Sequence, residues 1–183
     1  MELSWDAIVQ VAEELGVEPC FITAVADVES AHKGFDAQGR VTVRFEKHVF
    51  KRELRKAGAS QALVHAADAL SGVRWETVQV AQAMHPEAAL KATSFGLFQI
   101  MGFNYALAGF QCVEDFVAAQ QENATQQLSS FCRFAKETGL IPCMRKLDFT
   151  SFARRYNGPA YAKNAYDTKL HKAFELCRLR RKG

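Results

Sequence analysis

Glu29 is the residue whose position most clearly suggests chemistry. It lies near the end of CFITAVADVES (20–30), which is apolar on almost every side up to Val28 and therefore predicts a helix buried all round. Burial disfavours the charged form of a carboxyl group and raises its pKa, which suits a general acid near neutral pH. The alternative is that Glu29 points to solvent at the helix end.

A second candidate is the stretch TSFGLFQIMGFN (93–104). Gly96 and Gly102 permit close backbone approach or a positive φ angle, and Gln99 offers a donor and an acceptor among apolar neighbours. Sugar sites combine apolar surfaces with a few fixed hydrogen-bonding groups. The alternative is a core helix, predicted at about 97–108, with Gln99 turned outward.

A third candidate is RRYNGPAY (154–161). Asn157, Gly158 and Pro159 predict a sharp turn, which would present the ring and hydroxyl of Tyr156 to a cleft. The alternative is a simple end to the preceding helix, which begins after an Asp148 cap.

The surrounding sequence predicts a mostly helical single domain over residues 1–183, without repeats or linkers. VTVRF (41–45) alternates apolar and polar residues and predicts one short strand. Helices are predicted from Ser4 to Gly16, after Pro19, after Glu46, and from Asp148 to Tyr156, with a last helix around Tyr166–Cys177. Further helices are predicted at about 60–70, 75–84, 86–92, 113–121 and 123–137.

The composition of the chain limits the kinds of partner that it can bind. The net charge of +3 is too low to argue for nucleic acid, although Arg178, Arg180, Arg181 and Lys182 form a basic tail. That tail is either a solvated helix end or a contact with an anionic envelope surface. The five histidines lack metal-ligand spacing, so we predict neither a metal nor a cofactor.

The cysteines and the N-terminus bear on location. Five widely spaced cysteines without a CxxC pair predict buried, reduced thiols and a reducing compartment. The N-terminal MELSWDAIVQVAEELG is acidic where a signal peptide would be basic, and no apolar run approaches the length of a membrane span.

The order of these motifs is more specific than any one of them. Glu29-Ser30 closing a buried helix, then GLFQIM, then YNG resembles the signature of the goose-type lysozyme and lytic transglycosylase superfamily. VTVRFEKHVF (41–50), TSFGLFQIMGFN (93–104) and RRYNGPAYAKNAYDTKL (154–170) are similar to one branch of it, the N-acetylmuramidase domain of bacteriophage endolysins. Phe95 stands where this branch usually has Trp, and Ala165 where Gly is common.

The resemblance implies a lysozyme-like fold and hydrolysis of the β-1,4 bond between N-acetylmuramic acid and N-acetylglucosamine in peptidoglycan, with host lysis as the outcome. Glu29 would protonate the leaving oxygen. Glycosidases usually need a second carboxylate; Asp27, Asp36 and Glu46 are candidates, with Glu46 first, although Glu46 could instead be a structural acid. The residues implied for sugar binding are Ser30, Phe98, Gln99, Tyr156 and Asn157.

Other functions stay open at this point. A lytic transglycosylase would use the same acid and leave a 1,6-anhydro end, and a non-catalytic peptidoglycan-binding domain would keep the fold. A helical nucleic-acid-binding domain is disfavoured by the charge. We expect a monomer, and the lack of a long apolar run predicts no stable membrane insertion. The absence of a signal peptide predicts storage in the host cytoplasm and release through a separate membrane pore, after which the protein acts on the peptidoglycan in the periplasm.

Overall fold

Helices account for most of the chain, as predicted. The computed structural model describes residues 3–182; Met1, Glu2 and Gly183, which the predicted domain includes, lie outside the described residues, as do the side chains of Ala160 and Lys182. The α-helices are α1 (Trp5–Leu15), α2 (Pro19–Ser30), α3 (Lys47–Lys56), α4 (Gln61–Ala66), α5 (Trp75–Met84), α6 (Pro86–Lys91), α7 (Val113–Glu122), α8 (Ala124–Glu137), α9 (Ile141–Arg145), α10 (Phe149–Asn157) and α11 (Tyr166–Lys182). The 3-10 helices are Ala67–Ala69, Gly102–Asn104 and Pro159–Asn164.

Local sequence signals explain most helix boundaries. The Ser4 hydroxyl accepts a hydrogen bond from the Ala7 amide at 3.2 Å and caps α1, which ends at Gly16 in the left-handed conformation. Asp148 caps α10 in the same way, through the Ser151 amide at 2.9 Å. Helix α9 was not predicted, because five residues are too few for a visible period.

The only sheet within residues 3–182 has three antiparallel strands, β1 (Val43–Phe45), β2 (Thr93–Phe95) and β3 (Ile100–Met101). The strand predicted near 41–45 is therefore confirmed, and Val43 pairs with Phe95. The helix predicted at 97–108 is wrong, because this segment forms a β2–β3 hairpin followed by a 3-10 turn.

Gln127 on α8 explains why 97–108 is not a helix. Its buried amide oxygen accepts a hydrogen bond from the Leu97 amide at 2.8 Å, across thirty residues of sequence. The Gly96 amide donates a hydrogen bond to the Thr42 carbonyl at 2.8 Å. Gly96 has a positive φ of 72° and packs directly against the Gln127 side chain, which leaves no room for a Cβ atom. Tertiary hydrogen bonds thus override the helical pattern of the segment.

Helices α2 and α11 form the central pair and position the site. Glu29, near the end of α2, contacts Tyr166 at the start of α11, whereas Cys20 at the start of α2 meets Cys177 late in α11. The two helices are therefore antiparallel. Phe21, Phe152 and Phe174 fill the core between α2, α10 and α11, and all three are fully buried.

The prediction of five reduced cysteines is wrong. Cys20 and Cys177 form a disulfide with their Cα atoms 5.5 Å apart, and Cys112, Cys132 and Cys143 are free. Cys20 and Cys177 are 157 residues apart, so no local spacing of cysteines indicates that they pair. The odd number of cysteines also gave no sign of a disulfide. Residues 3–182 contain no helix whose length and apolar character would let it cross a bilayer.

Candidate active site

A cleft of about 580 Å³ opens where the end of α2, the sheet and the start of α11 meet. We call it the Glu29 cleft. The residues lining it include Glu29, Arg44, Glu46, Ser94, Gln99, Met101, Asn104, Tyr156, Asn157, Asn164, Tyr166 and Lys169. Of the seven site residues predicted from sequence, the cleft brings together Glu29, Glu46, Gln99, Tyr156 and Asn157.

Glu29 faces the cleft, yet surrounding protein desolvates its carboxyl group. Burial raises the pKa of Glu29 from its ordinary 4.5 to about 7, and it outweighs the hydrogen bond from Tyr166, the charge of Arg44 and the hydrogen bond from Asn157, which all act in the opposite direction. The carboxyl group is thus partly protonated near neutral pH. It can donate a proton to a group bound in the cleft, as a general acid must.

Tyr166 is the principal site residue that sequence reasoning missed. Its hydroxyl donates a hydrogen bond to Glu29 Oε1 at 2.6 Å and so orients the carboxyl group. Tyr166 belongs to the matched segment 154–170, but its spacing with Leu170 and Phe174 indicates only a core position in the last helix. Its partner Glu29 is 137 residues away in the sequence, so no local sequence pattern indicates that the two side chains meet.

Tyr156 contributes a ring rather than a free hydroxyl. The hydroxyl donates a hydrogen bond to the backbone carbonyl of Phe98, and the ring stacks on Phe152 with centroids 5.2 Å apart. Tyr156 therefore ties α10 to the β2–β3 hairpin on the cleft wall. The adjacent Asn157 is exposed and directs its side chain to Glu29, which leaves it accessible to a ligand.

Phe98 and Ser30 do not line the cleft, and this placement argues against their predicted roles in sugar binding. Phe98 is 1% exposed and stacks on Phe131 with centroids 4.3 Å apart, because the hairpin turns this ring inward. The Ser30 hydroxyl donates to the Ala26 carbonyl at 3.1 Å, one turn back on α2, instead of pointing into the cleft.

Gln99 lies on the cleft wall, but its amide mainly holds the hairpin. The side-chain oxygen accepts from the Ser94 hydroxyl at 2.8 Å, and the side-chain nitrogen donates to the Gly96 carbonyl at 2.9 Å. Its φ of 46° is uncommon for a residue other than glycine and is held in place by these bonds. Gln99 therefore shapes the wall, with one oxygen lone pair left over for a ligand.

Glu46 is the one predicted second carboxylate that reaches the cleft. It lies just before α3, is 30% exposed, and pairs with Arg44 Nε at 3.0 Å. The other two carboxylates lie elsewhere: Asp36 accepts from the Arg40 side chain at 2.8 Å, and Asp27 pairs with His32 at 3.0 Å on another face. These geometries keep only Glu46 as a partner for Glu29.

The rest of the cleft surface is polar. Arg44 and Lys169 provide cationic donors, and Asn104, Asn157 and Asn164 provide amides. Amide groups beside a tyrosine ring suit the hydroxyl and acetamido groups of amino sugars. Within the part of the chain that the structure describes, no three His, Cys, Asp or Glu side chains gather as metal ligands would.

Two comparisons with known proteins give matches, one to a family model and one to a solved structure. The family model described as N-acetylmuramidase matches residues 18–178. Among solved structures, the crystal structure of Burkholderia AP3 phage endolysin is similar, with a TM-score of 0.83 and 34% sequence identity over 95% of this chain and 71% of that chain. Among curated proteins, none matches.

Proposed function

Because the chain belongs to the N-acetylmuramidase family, and is thus a glycoside hydrolase of the lysozyme type, we propose that it hydrolyses the β-1,4 bond between N-acetylmuramic acid and N-acetylglucosamine in peptidoglycan. The observation that supports this most is Glu29, a desolvated carboxyl group with a pKa of about 7 on the floor of a polar cleft. A purely glycan-binding domain would have no use for such a group.

Glu29 acts as the general acid in this proposal. Its protonated carboxyl group donates to the glycosidic oxygen as the bond to the anomeric carbon breaks. The hydroxyl of Tyr166 and the side chain of Asn157 hold the carboxyl group in position, and they stabilise the carboxylate that remains after the transfer. The ring of Tyr156 and the wall formed by Gln99 would bind the sugar.

Glu46 is the proposed second carboxylate. It lines the same cleft and can hold a water molecule against the opposite face of the sugar. Inverting glycosidases separate their two carboxyl groups by roughly 6.5–9.5 Å to make room for this water, whereas retaining enzymes use roughly 5–5.5 Å. A water held by Glu46 predicts inversion at the anomeric carbon.

A lytic transglycosylase is the second candidate, because Glu46 already pairs with Arg44 at 3.0 Å. A carboxylate oxygen that already accepts from a guanidinium is less available to hold a water molecule. Glu29 alone would then first donate its proton to the leaving oxygen and afterwards accept the proton of the sugar's own 6-hydroxyl, which closes a 1,6-anhydro ring.

Digestion of purified peptidoglycan in heavy-oxygen water separates the two reactions. Hydrolysis places the label in a reducing muramic acid end, whereas transglycosylation gives an unlabelled anhydro end that is one water lighter. Mass spectrometry of the released muropeptides should show the labelled reducing end. A dominant anhydro product would overturn hydrolysis and leave Glu29 as the acid.

The biological setting that fits this activity is host lysis by a phage endolysin, as in the AP3 phage protein to which the chain is similar. In this setting the protein is held in the host cytoplasm and then acts on the periplasmic peptidoglycan. The exposed Arg180 and Arg181 at the end of α11 would favour contact with an anionic envelope surface. Expression inside a bacterium with and without a pore-forming protein tests this order of events, because lysis should need both.

A further inference from the structure

A second groove, of about 470 Å³, lies on the other side of the 3-10 turn Gly102–Asn104. The groove is formed by α3, by the start and end of α6, and by the residues of this turn. Its lining consists of Glu53, Lys56, His85, Glu87, Lys91, Phe103 and Tyr105, with two alanines. None of these residues lines the Glu29 cleft.

The second groove is lined by two lysines and two glutamates, all of which are held in ion pairs. Glu53, which is buried, pairs with Arg52 at 2.8 Å and Lys56 at 3.1 Å, and Glu87 pairs with Lys91 at 2.6 Å. Arg52 does not line the groove itself, but it lies over the Phe103 ring and adds a third cation beside the two lysines and two glutamates of the lining, which leaves one positive charge in excess at the edge of the groove. Ammonium groups have three donors each, so Lys56 and Lys91 keep donors for a further anion.

His85 adds a neutral donor with a defined orientation. Its Nδ1 accepts a hydrogen bond from the Ala88 amide at 3.3 Å and caps α6. The proton of the neutral ring must then be on Nε2, the nitrogen that Ala88 leaves free. The groove therefore presents one imidazole donor beside the two ammonium groups.

Two aromatic rings give the groove its apolar surface. Arg52 lies 4.6 Å above the centre of the Phe103 ring, and Lys91 lies 5.6 Å from that of Tyr105. Both rings are half-buried, so each keeps some exposed surface. Small alkyl groups between carboxylates would match this alternation of rings and cations.

The second groove and the Glu29 cleft share one wall. Met101 at the end of β3 and Asn104 in the turn line the cleft, while Phe103 in the turn and Tyr105 directly after it line the groove. The turn rests directly on α6, because a Cβ on Gly102 would come within 2.1 Å of the Leu90 carbonyl oxygen. Only glycine permits this approach, and it keeps the shared wall thin.

The distance between the two sites is short. Glu46 in the cleft and Glu53 in the groove are seven residues apart along the chain, with α3 starting between them, which amounts to about 10 Å at the helical rise. An extended peptide of about four residues spans roughly 13–14 Å. A peptide that starts at a sugar in the cleft can therefore end in the groove.

We propose that the second groove binds the acidic stem peptide carried by the lactyl group of N-acetylmuramic acid. This inference rests on the proposed function, since it places that sugar in the Glu29 cleft. The stem alternates small alkyl groups with free carboxylates, which suits the rings and the cation excess. A neighbouring glycan strand is a poorer occupant, because its neutral hydroxyls would make weaker hydrogen bonds with the remaining ammonium donors than carboxylates make.

The test compares two substrates and two matched lysines. Lys91→Gln removes a groove cation, whereas Lys51→Gln removes a lysine on α3 that lies outside the groove; the two side chains are 23% and 21% exposed, and each pairs with one carboxylate. The substrates are intact peptidoglycan and glycan strands stripped of stems by an amidase. We expect Lys91→Gln to reduce the preference for stem-bearing substrate about three- to tenfold. Lys51→Gln should retain the wild-type preference.

A titration independent of turnover completes the test. The free tetrapeptide L-Ala-D-Glu-diaminopimelate-D-Ala should shift the backbone amide resonances of Phe103 and Tyr105 saturably in the full protein, and bind more weakly to Lys91→Gln. An unchanged preference in Lys91→Gln, or a titration without saturable shifts, would overturn the stem-peptide site. If neither substrate releases new ends while the tetrapeptide still binds, the proposed function fails and the groove stands.

Discussion

The two ends of the antiparallel pair α2–α11 are held together in opposite ways. At one end Cys20 and Cys177 are joined covalently and are almost fully buried. At the other end Tyr166 donates a single hydrogen bond to Glu29, a carboxyl group that burial keeps from ionising easily. The same two helices therefore carry a cross-link at one end and a costly buried acid at the other.

This difference separates stability from chemistry. A disulfide stabilises the fold by lowering the entropy of the unfolded chain, and it takes no direct part in the reaction with the substrate. A desolvated acid makes the folded state less favourable whenever it is charged, and it is retained where a proton donor is needed. Changes at the Glu29 end should therefore affect turnover first, and changes at the cysteine end should affect unfolding first.

Glu29→Gln should produce the largest effect, and it should fall on turnover. The amide keeps the shape of the side chain but cannot donate the proton, so activity on peptidoglycan should drop by roughly 10²–10⁴-fold. Release of reducing ends measures the loss, and circular dichroism checks the fold. Activity within a few-fold of wild type, in a folded variant, would remove Glu29 from the chemistry.

Reduction of the Cys20–Cys177 disulfide should have the next largest effect, on unfolding. The bond closes a loop of 157 residues, for which the chain-entropy model gives about 5 kcal/mol, although measured losses are typically about 2–5 kcal/mol. Reductant, or the double change Cys20→Ser with Cys177→Ser, should lower the melting temperature by roughly 10 °C.

The free Cys112 provides the control for this experiment. Its sulfur accepts a hydrogen bond from the Asp115 amide at 3.4 Å and caps α7, a role that serine fills equally well. Cys112→Ser should leave the melting temperature unchanged. If the wild-type protein melts at the same temperature with and without reductant, Cys20 and Cys177 are free thiols in solution and no disulfide joins α2 to α11.

The pH dependence of unfolding should carry the signature of Glu29. Below pH 4.5 the carboxyl group is protonated in both states, so its contribution to stability is fully present. As the pH rises to about 7, only the unfolded state releases the proton, and the stabilisation is lost through this interval. The loss amounts to about 3 kcal/mol, and activity should fall above the same pH.

Glu29→Gln isolates this contribution from other titrating groups. Denaturant unfolding of both proteins should give similar stability at pH 4, whereas the variant should be the more stable protein at pH 8. A stability difference that does not change with pH would mean that the carboxyl group titrates normally.

Tyr166→Phe should have a smaller effect that is also located at the Glu29 end. The lost hydrogen bond favours the charged carboxyl group, so the pKa of Glu29 should rise further and the alkaline limb of the activity profile should move to higher pH. Stability should fall by only about 1 kcal/mol. A lower rate with an unmoved pH profile would make Tyr166 a packing residue alone.

Sequence reasoning found the residues whose signals are local. Glu29 is visible because it closes an apolar helix, and Asn157 and Tyr156 because a turn follows them. Tyr166 and Cys177 act on partners more than a hundred residues away, so their spacing reports only the face of α11 on which they lie. Contacts of this kind follow from the packing of helices and leave no trace in the neighbouring sequence.

The hairpin at 93–101 shows the same limit for the fold. Its apolar spacing fits a helix, and the two glycines indicate only that something unusual is present. The buried amide of Gln127 selects the hairpin by accepting a hydrogen bond from the Leu97 amide, and Phe98 in the same hairpin stacks inward on Phe131. Gln99 was predicted to contact sugar, but most of its amide is used to hold this turn.

Ala165→Gly should have the smallest effect and the opposite sign. Ala165 has a φ of 47° between the 3-10 helix Pro159–Asn164 and α11, a conformation that costs roughly 1 kcal/mol more for alanine than for glycine. Glycine relieves that cost but loses more entropy on folding, so the net gain should be about 0.5 kcal/mol, or one to two degrees of melting temperature. Ala173→Gly, within α11, should instead cost about 1 kcal/mol. An equal loss of melting temperature in both variants would show that the backbone at Ala165 is not strained. Because Ala165 directly precedes Tyr166, the backbone that positions Tyr166 beside Glu29 would then be as unstrained as the interior of α11.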